Sequence, residues 1–244
     1  MRLDVLLFER GLSKSRTDAK VLISSGEVTV NGKCVTKPAY DVSDTDDVLV
    51  NAHQRYVSRG GLKLEYAMSS FDFSVNDKLA IDVGASSGGF TDCLLQNGIK
   101  HVIAVDSGSG QLASSLSSDS RVTSVEGYNA RYMKPSDFPY APNIAVMDVS
   151  FISATLIIAP LFSVLSADAD FICLIKPQFE VGRENIGKGG IVRDEKAREA
   201  AISKVVDFAK GVGFIHKGTV RSPIEGGDGN VEFLAHFKKP SSAL

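Results

Sequence analysis

The sequence predicts an α/β protein, a parallel sheet covered on both faces by helices and preceded by a small α+β unit. Three observations carry this. From about residue 61 onward, short apolar runs alternate with helical stretches, the signature of successive βα units. The first of these runs leads into a glycine-rich turn, Gly84-Ala85-Ser86-Ser87-Gly88-Gly89, where the backbone can approach a ligand closely. The first fifty residues follow another pattern, two short helices and a hairpin.

In the N-terminal part, Leu3, Leu6 and Leu7 lie at helical spacing between Arg2 and Arg10, and Gly11 can close that helix in a left-handed cap. Ser15-Arg16-Thr17-Asp18 fits a capping box that starts a second helix, with Ala19, Leu22 and Ile23 as its apolar stripe and Gly26 as its end. Arg16 and Lys20, four apart, share a helix face, with Lys14 near its start. Val28-Thr29-Val30, then Asn31-Gly32, then Lys33-Cys34-Val35 is a hairpin signal.

Strands are expected at Leu79 to Val83, His101 to Asp106, Val122 to Val125, Ile144 to Val149, Phe171 to Lys176, Ile215 to Val220 and Val231 to Phe237. Helices are expected around Thr91 to Gln96 and from Asp194 to Lys210, the latter capped by Asp194 and closed by Gly211 or Gly213. The apolar stretch Phe151 to Leu165 is 15 residues long and contains Pro160. A membrane span needs about 20 apolar residues, so this stretch reads as a buried helix beside the sheet.

Composition narrows the class. Of 244 residues, 43% are hydrophobic and 23% charged, which excludes a wholly disordered chain, collagen and a disulfide-stapled miniprotein. The net charge is −2, so a nucleic-acid-binding face has to be local. Residues 1–40 hold seven Lys/Arg against four Asp/Glu, whereas Asp41 to Asp47 holds four acids and no base. The shift places a boundary near residues 50–60, with units expected at 1–55 and 61–244 and a linker at 56–60. Cys34, Cys93 and Cys173 are widely spaced and read as free thiols of a reducing cytoplasm. His53, His101, His216 and His236 build no zinc signature, so no metal is expected. Arg2, Asp4, Glu9 and Arg10 interrupt any secretory core, and neither export nor membrane insertion is expected.

Candidate functional residues cluster where strands end. The turn after Asp82 lacks the second glycine of the dinucleotide fingerprint, since Ser86 stands there, and Asp106 ends the next strand 24 residues on. A strand-end carboxylate can accept both hydroxyls of an adenosine ribose. Asp148 and Lys176 also end strands, Lys63 precedes the first strand of the sheet, and Glu232 lies inside the last. Each has a structural reading as well: a solvated lysine, a turn aspartate, an edge-strand glutamate.

Two resemblances sharpen this. The segment SKSRTDAKVLISSGEVTVNGK resembles the S4 RNA-binding domain, which implies phosphate contacts from Lys14, Ser15, Arg16, Lys20, Asn31 and Lys33. Such contacts position a protein without reading sequence. Lys63, Asp148, Lys176 and Glu232 match the Lys-Asp-Lys-Glu set of the FtsJ-like ribose 2′-O-methyltransferases. The segments DVGASSGGFTDCLL, VMDVSFIS, LIKPQFEVG, KGGIVRD and SPIEGGDGNVEFL resemble the TlyA family, many of whose members carry the label hemolysin. The resemblance implies a Rossmann-like methyltransferase fold with a mostly parallel seven-stranded sheet. It also implies S-adenosylmethionine as cofactor and methylation of cytidine ribose in ribosomal RNA, so that ribosomal RNA or a ribosomal subunit is the partner. The compact chain resembles the family's shorter branch, which favours large-subunit RNA. The serine-rich stretch after Gln111-Leu112-Ala113 departs from the family pattern.

On that resemblance Gly84, Ala85, Ser86, Gly88 and Gly89 cradle the methionine part, with Asp82 and Phe90 completing the turn. Asp106 takes the ribose and Asn129 and Ala130 the adenine. Lys176 is the expected base, or the group that orients the 2′-hydroxyl. A lysine serves as base only with a lowered pKa, and burial and a neighbouring Lys63 both push that way. Asp148 and Glu232 are expected to hold the lysine geometry. Three competing readings are a nicotinamide-dependent oxidoreductase, a membrane-lytic protein, and an RNA-binding protein whose catalytic domain is inactive.

Overall fold

The computed structural model of the chain describes residues 1–13, 15–50 and 55–241. They form two compact units, Met1–Arg59 and Gly60–Leu244.

In the first unit, α1 (Leu3–Glu9) ends at Arg10, and Gly11 follows at φ 67°. Ser15 caps α2 (Arg16–Ser24), its Oγ accepting the Asp18 N–H at 3.1 Å, and Gly26 follows at φ 78°. β1 (Val28–Val30) and β2 (Lys33–Cys34) form the expected hairpin, with both Asn31 (φ 51°) and Gly32 (φ 75°) left-handed as a tight primed turn requires. A further strand, β3 (Val48–Val50), pairs antiparallel with the other edge of β1. The sequence reading missed it because only three residues separate the acidic run from the polar one. Leu3, Leu6, Leu7, Ala19, Ile23, Val28 and Val30 fill the core.

The second unit opens with α3 (Gly60–Ser70), followed by β4 (Leu79–Val83), α4 (Gly89–Gln96), β5 (His101–Val105), α5 (Ser114–Ser117) and β6 (Val122–Val125). Then come β7 (Ile144–Met147), α6 (Thr155–Val164), β8 (Asp170–Ile175), α7 (Pro177–Glu180), α8 (Glu195–Val212), β9 (Ile215–Arg221) and β10 (Phe233–Lys238). All seven expected strands are present. They form one sheet of order β6-β5-β4-β7-β8-β10-β9, parallel except for β10, which runs antiparallel to both neighbours. The chain leaves β4 toward β5 on one side and reaches β7 on the other, so the strand order reverses at β4. Right-handed crossovers then place α4 and α6 on opposite faces. Consistent with this, α3 packs on α4 and α6 on α8.

One expectation is corrected. The buried helix expected over Phe151 to Leu165 begins only at Thr155, and Phe151 is 92% exposed at φ 64°. The serine-rich stretch after Ala113 forms only the single turn α5, because serine competes for backbone hydrogen bonds and adds little helix propensity. Lys63, which precedes the first strand of the sheet as expected, lies on a helix, α3. Among the described residues, no helix is long and apolar enough to cross a membrane.

At the end of the sheet where β8 begins, Asp170 is buried beside His236 and two lysines. His236 Nε2 lies 3.0 Å from Oδ1, and Lys78 Nζ and Lys238 Nζ each lie 3.2 Å from Oδ2. Burial alone would raise its pKa. The hydrogen bonds from His236 and Lys78 and the charges of Lys78 and Lys238 outweigh it and hold the carboxyl at about 2. A folded pKa below the unfolded value gives stability that is present above pH 3.8 and lost as pH falls through about 2. Unfolding in urea at stepped pH should show wild type losing about 2 kcal/mol more than Asp170→Asn across that window.

Candidate active site

The strand reversal at β4 opens a cavity of about 480 Å³ at the C-terminal ends of β4 to β7, where open α/β sheets bind ligands. Its walls are the segments following each strand: Gly84 and Ser86 after β4, Asp106 to Gly108 after β5, Tyr128 to Ala130 after β6, and Asp148 to Ile152 after β7. Gly84 is required twice over. Its φ is 83°, and a Cβ there would overlap the carbonyl oxygen of Asp148. The two strand ends can meet this closely only without a side chain.

Of the ten residues expected to hold a cofactor, Gly84, Ser86, Asp106, Asn129 and Ala130 line the cavity. Asp106 is fixed by two backbone donors, Ser86 N–H to Oδ2 at 2.8 Å and Gly108 N–H to Oδ1 at 2.7 Å. Asn129 Oδ1 accepts from the Arg131 backbone and from its guanidinium, both at 3.2 Å. The other five do not line it. Ala85 is buried, Gly88 (φ 95°) caps α4 against Leu116 and Leu112, Gly89 starts α4, and Phe90 lies in the core.

Asp82 is fully buried at the end of β4. Its Oδ2 accepts the Thr91 hydroxyl at 2.7 Å, while its Oδ1 accepts nothing among the described residues. Burial, reinforced by the charges of Asp148 and Asp106, raises its pKa to about 7 against the pull of Thr91.

The four expected catalytic residues form two ion pairs. Lys176 Nζ lies 2.5 Å from Asp148 Oδ1 and donates to Ser150 Oγ at 2.8 Å. Lys63 Nζ lies 2.5 Å from Glu232 Oε2, with both side chains almost fully buried. The reversed strand β10 brings the pairs toward each other: Phe233 pairs with Ile175, so the next residues outward are Glu232 and Lys176. Asp148 and Ser150 also line the cavity, which joins the first pair to it. Each lysine thus has its own carboxylate, where the sequence reading emphasised a lysine beside a lysine. That reading also missed Ser150, Gln111 and Tyr128, which line the cavity. Ser150 sits two residues after a strand-end acid, and that was the available signal.

In the first unit, Lys20 and Lys33 are exposed, and Lys14 lies outside the described residues. Arg16 is partly exposed, but one guanidinium nitrogen lies 3.3 Å from Asp4 Oδ2, and Asp4 is wholly buried between Arg16 and Arg2. The Asn31 amide is engaged by Asp46 and the Asp47 N–H, and the Ser15 hydroxyl by its helix.

Comparison with known proteins places this geometry. The FtsJ-like methyltransferase family matches residues 56–239, three quarters of the chain. The chain belongs to the FtsJ-like methyltransferase family. Residues 1–48 match the S4 domain. This FtsJ-like chain is 42% identical over 235 residues to the 16S/23S rRNA (cytidine-2′-O)-methyltransferase TlyA of Mycobacterium tuberculosis, covering 96% of this chain and 88% of that one. It is 45% identical over 242 residues to Hemolysin A of Brachyspira hyodysenteriae, covering 97% and 99%. A solved structure from Streptococcus thermophilus that carries a hemolysin label is 47% identical, with a TM-score of 0.78, covering 98% of this chain and 88% of that one.

Asp82 predicts a pH effect opposite to that of Asp170. With a folded pKa above the unfolded 3.8, the native state keeps a proton that the unfolded chain releases. Stability contributed by this group is therefore lost as pH rises from about 4 to about 7. Urea unfolding of Asp82→Asn should show a flatter profile over that window, and a slope equal to wild type would show that Asp82 is ionised there.

Proposed function

We propose that this FtsJ-like protein transfers a methyl group from S-adenosylmethionine to the 2′-hydroxyl of cytidine ribose in ribosomal RNA, with its S4 unit docking the RNA. The observation that carries the reading is the double ion pair, Lys176 with Asp148 and Lys63 with Glu232, beside a nucleoside-sized cavity. Burying Lys63 with Glu232, and partly burying Lys176 with Asp148, costs stability that a fold alone does not need to spend. The name of the TlyA relative supports the same chemistry.

The cavity fits this cofactor on features of the chain itself. Gly84 lines it at the joint between β4 and β7. Asp106, held by two N–H groups, keeps lone pairs free for the two ribose hydroxyls. Asn129 and Ala130 serve the adenine end. Bound there, S-adenosylmethionine supplies an electrophilic methyl group.

A ribose hydroxyl is a very weak acid, so the site has to align it and handle its proton. Lys176, fixed by Asp148 and Ser150, orients the 2′-hydroxyl as an ammonium, or, having first given up one proton to solvent, accepts the hydroxyl proton at Nζ as the oxygen gains the methyl. Lys63, fixed by Glu232, holds the ribose or its phosphate.

The direct test is transfer of labelled methyl to ribosomal subunits and RNA, followed by mapping of the modified site; no transfer to either overturns the proposal. Lys176→Ala should bind cofactor and RNA normally yet methylate about 10²- to 10⁴-fold more slowly in a single turnover. Lys176→Arg separates the two roles, because a guanidinium cannot accept a proton. Substantial activity there means orientation by charge, and none means proton transfer.

Docking is tested at Lys20 and Lys33. Arg16 is a poorer probe, since a glutamate there would face the buried Asp4. Lys20→Glu with Lys33→Glu should weaken RNA binding and flatten its log–log salt dependence by roughly 0.7–0.9 per lost phosphate contact. Cofactor affinity should not change. An unaltered slope would move the RNA face elsewhere.

A further inference from the structure

The loop between β7 and α6 is pinned at both ends by the segment that follows β8. At its start, Lys176 Nζ donates to Ser150 Oγ at 2.8 Å while pairing with Asp148. At its end, the buried Glu180 carboxylate accepts the Ser153 hydroxyl at 2.6 Å and the Ala154 N–H at 2.7 Å. Between the pins, Phe151 is left-handed at φ 64°, a region costly for a bulky side chain. Its 92% exposure means that little burial of the ring offsets that cost. Its ring lies tilted against that of Phe179, centroid to centroid 5.3 Å, and Phe179 belongs to the same pinning segment.

Glu180 is itself held from a third direction. Lys204 of α8 lies 3.1 Å from its Oε2 and donates to its backbone carbonyl at 2.8 Å. At the start of α6 the Ser153 hydroxyl accepts the Thr155 N–H at 3.3 Å, and Glu180 takes the Ala154 N–H beside it. What Glu180 adds is a link between two strand-end loops, one carrying Asp148 and Ser150 and the other carrying Lys176.

We propose that Glu180 is a positioning residue for methyl transfer: it sets the turn from Ser150 to Ser153, and through Ser150 and Asp148 it fixes the Lys176 ammonium. The proposal rests on the methyl-transfer reading above. Glu180 touches neither reactant. It acts by holding the hydrogen-bonding partners of Lys176 at a fixed distance from it, and a displacement of about 1 Å at such a site can cost a factor near 10² in rate.

Two near-isosteric variants test it. Glu180→Asp keeps the charge but withdraws the carboxylate by one methylene from Ser153 and Ala154. Glu180→Gln keeps the reach: its amide oxygen can accept the Ala154 N–H and its amide nitrogen can donate to the Ser153 hydroxyl, while the Lys204 ammonium, which cannot pair with that nitrogen, keeps its bond to the residue's backbone carbonyl. With saturating ribosomal RNA and cofactor, Glu180→Asp should transfer methyl about 10- to 100-fold more slowly in a single turnover, with S-adenosylmethionine affinity within about threefold of wild type. Glu180→Gln should recover to within about threefold of the wild-type rate. A purely structural carboxylate would lower the unfolding midpoint and leave the rate of the folded fraction unmoved. A wild-type rate in Glu180→Asp, a loss confined to cofactor affinity, or a glutamine variant as slow as the aspartate one overturns the proposal. If circular dichroism shows Glu180→Asp unfolded, Ser153→Ala carries the test: it removes one pin, and an unchanged rate overturns the proposal. Failure of wild-type protein to methylate RNA would refute the methyl-transfer reading instead, and that result is distinguishable from all of these.

Discussion

The approach of Gly84 to the carbonyl oxygen of Asp148 is the contact on which the rest of the site depends. It lies where the strand order reverses, and it holds the ends of β4 and β7 together just past their last paired residues. The cavity opens against that joint. The same contact fixes the backbone of Asp148, whose side chain meets Lys176 from the neighbouring strand. A backbone position dictated by the absence of one carbon therefore shapes both the pocket and the charged pair at its edge. The ordered turn also aims the Ser86 N–H at Asp106, which ties the second wall to the first.

Much of the larger unit was legible because its signals are local. Strands β4, β5, β7 and β8 are short, mostly apolar runs, and the polar residues Asp82, Asp106, Asp148 and Lys176 at or just past their ends all lie at the C-terminal edge of the sheet. What was not legible depends on contacts between distant segments. Nothing near Lys176 in sequence announces Ser150, and nothing near Phe151 announces that it leaves the helix and faces solvent. The helix carrying Lys63 begins with two glycines, the poorest ordinary helix formers, so its start is masked. In the smaller unit, charge and exposure were read correctly for Lys20 and Lys33, but not the commitment of Arg16 to Asp4 or of Asn31 to Asp46. A basic residue on a helix face looks the same in sequence whether it is free or already paired.

The two buried aspartates of the larger unit show how one side chain type is put to opposite uses. Asp170 is held by two lysines and His236 and stays ionised in acid, which fastens the sheet at the end remote from the cavity. Asp82 has one hydroxyl donor and two neighbouring acids, which favour its proton. The sheet is thus closed electrostatically at one end and left unsaturated at the other. Electrostatic capacity is reserved for the end where the cavity opens.

The antiparallel course of β10 has a consequence in time as well as in space. Because the strand runs backward, its beginning lies beside the finishing ends of its neighbours, and Glu232 meets a lysine 169 residues earlier in the chain. A growing polypeptide already holds Asp148 and Lys176 once β8 has been made, yet Lys63 has no counter-ion until Glu232 emerges. The ion pair and the contact of α3 with β10 become complete together, only once β10 has been made.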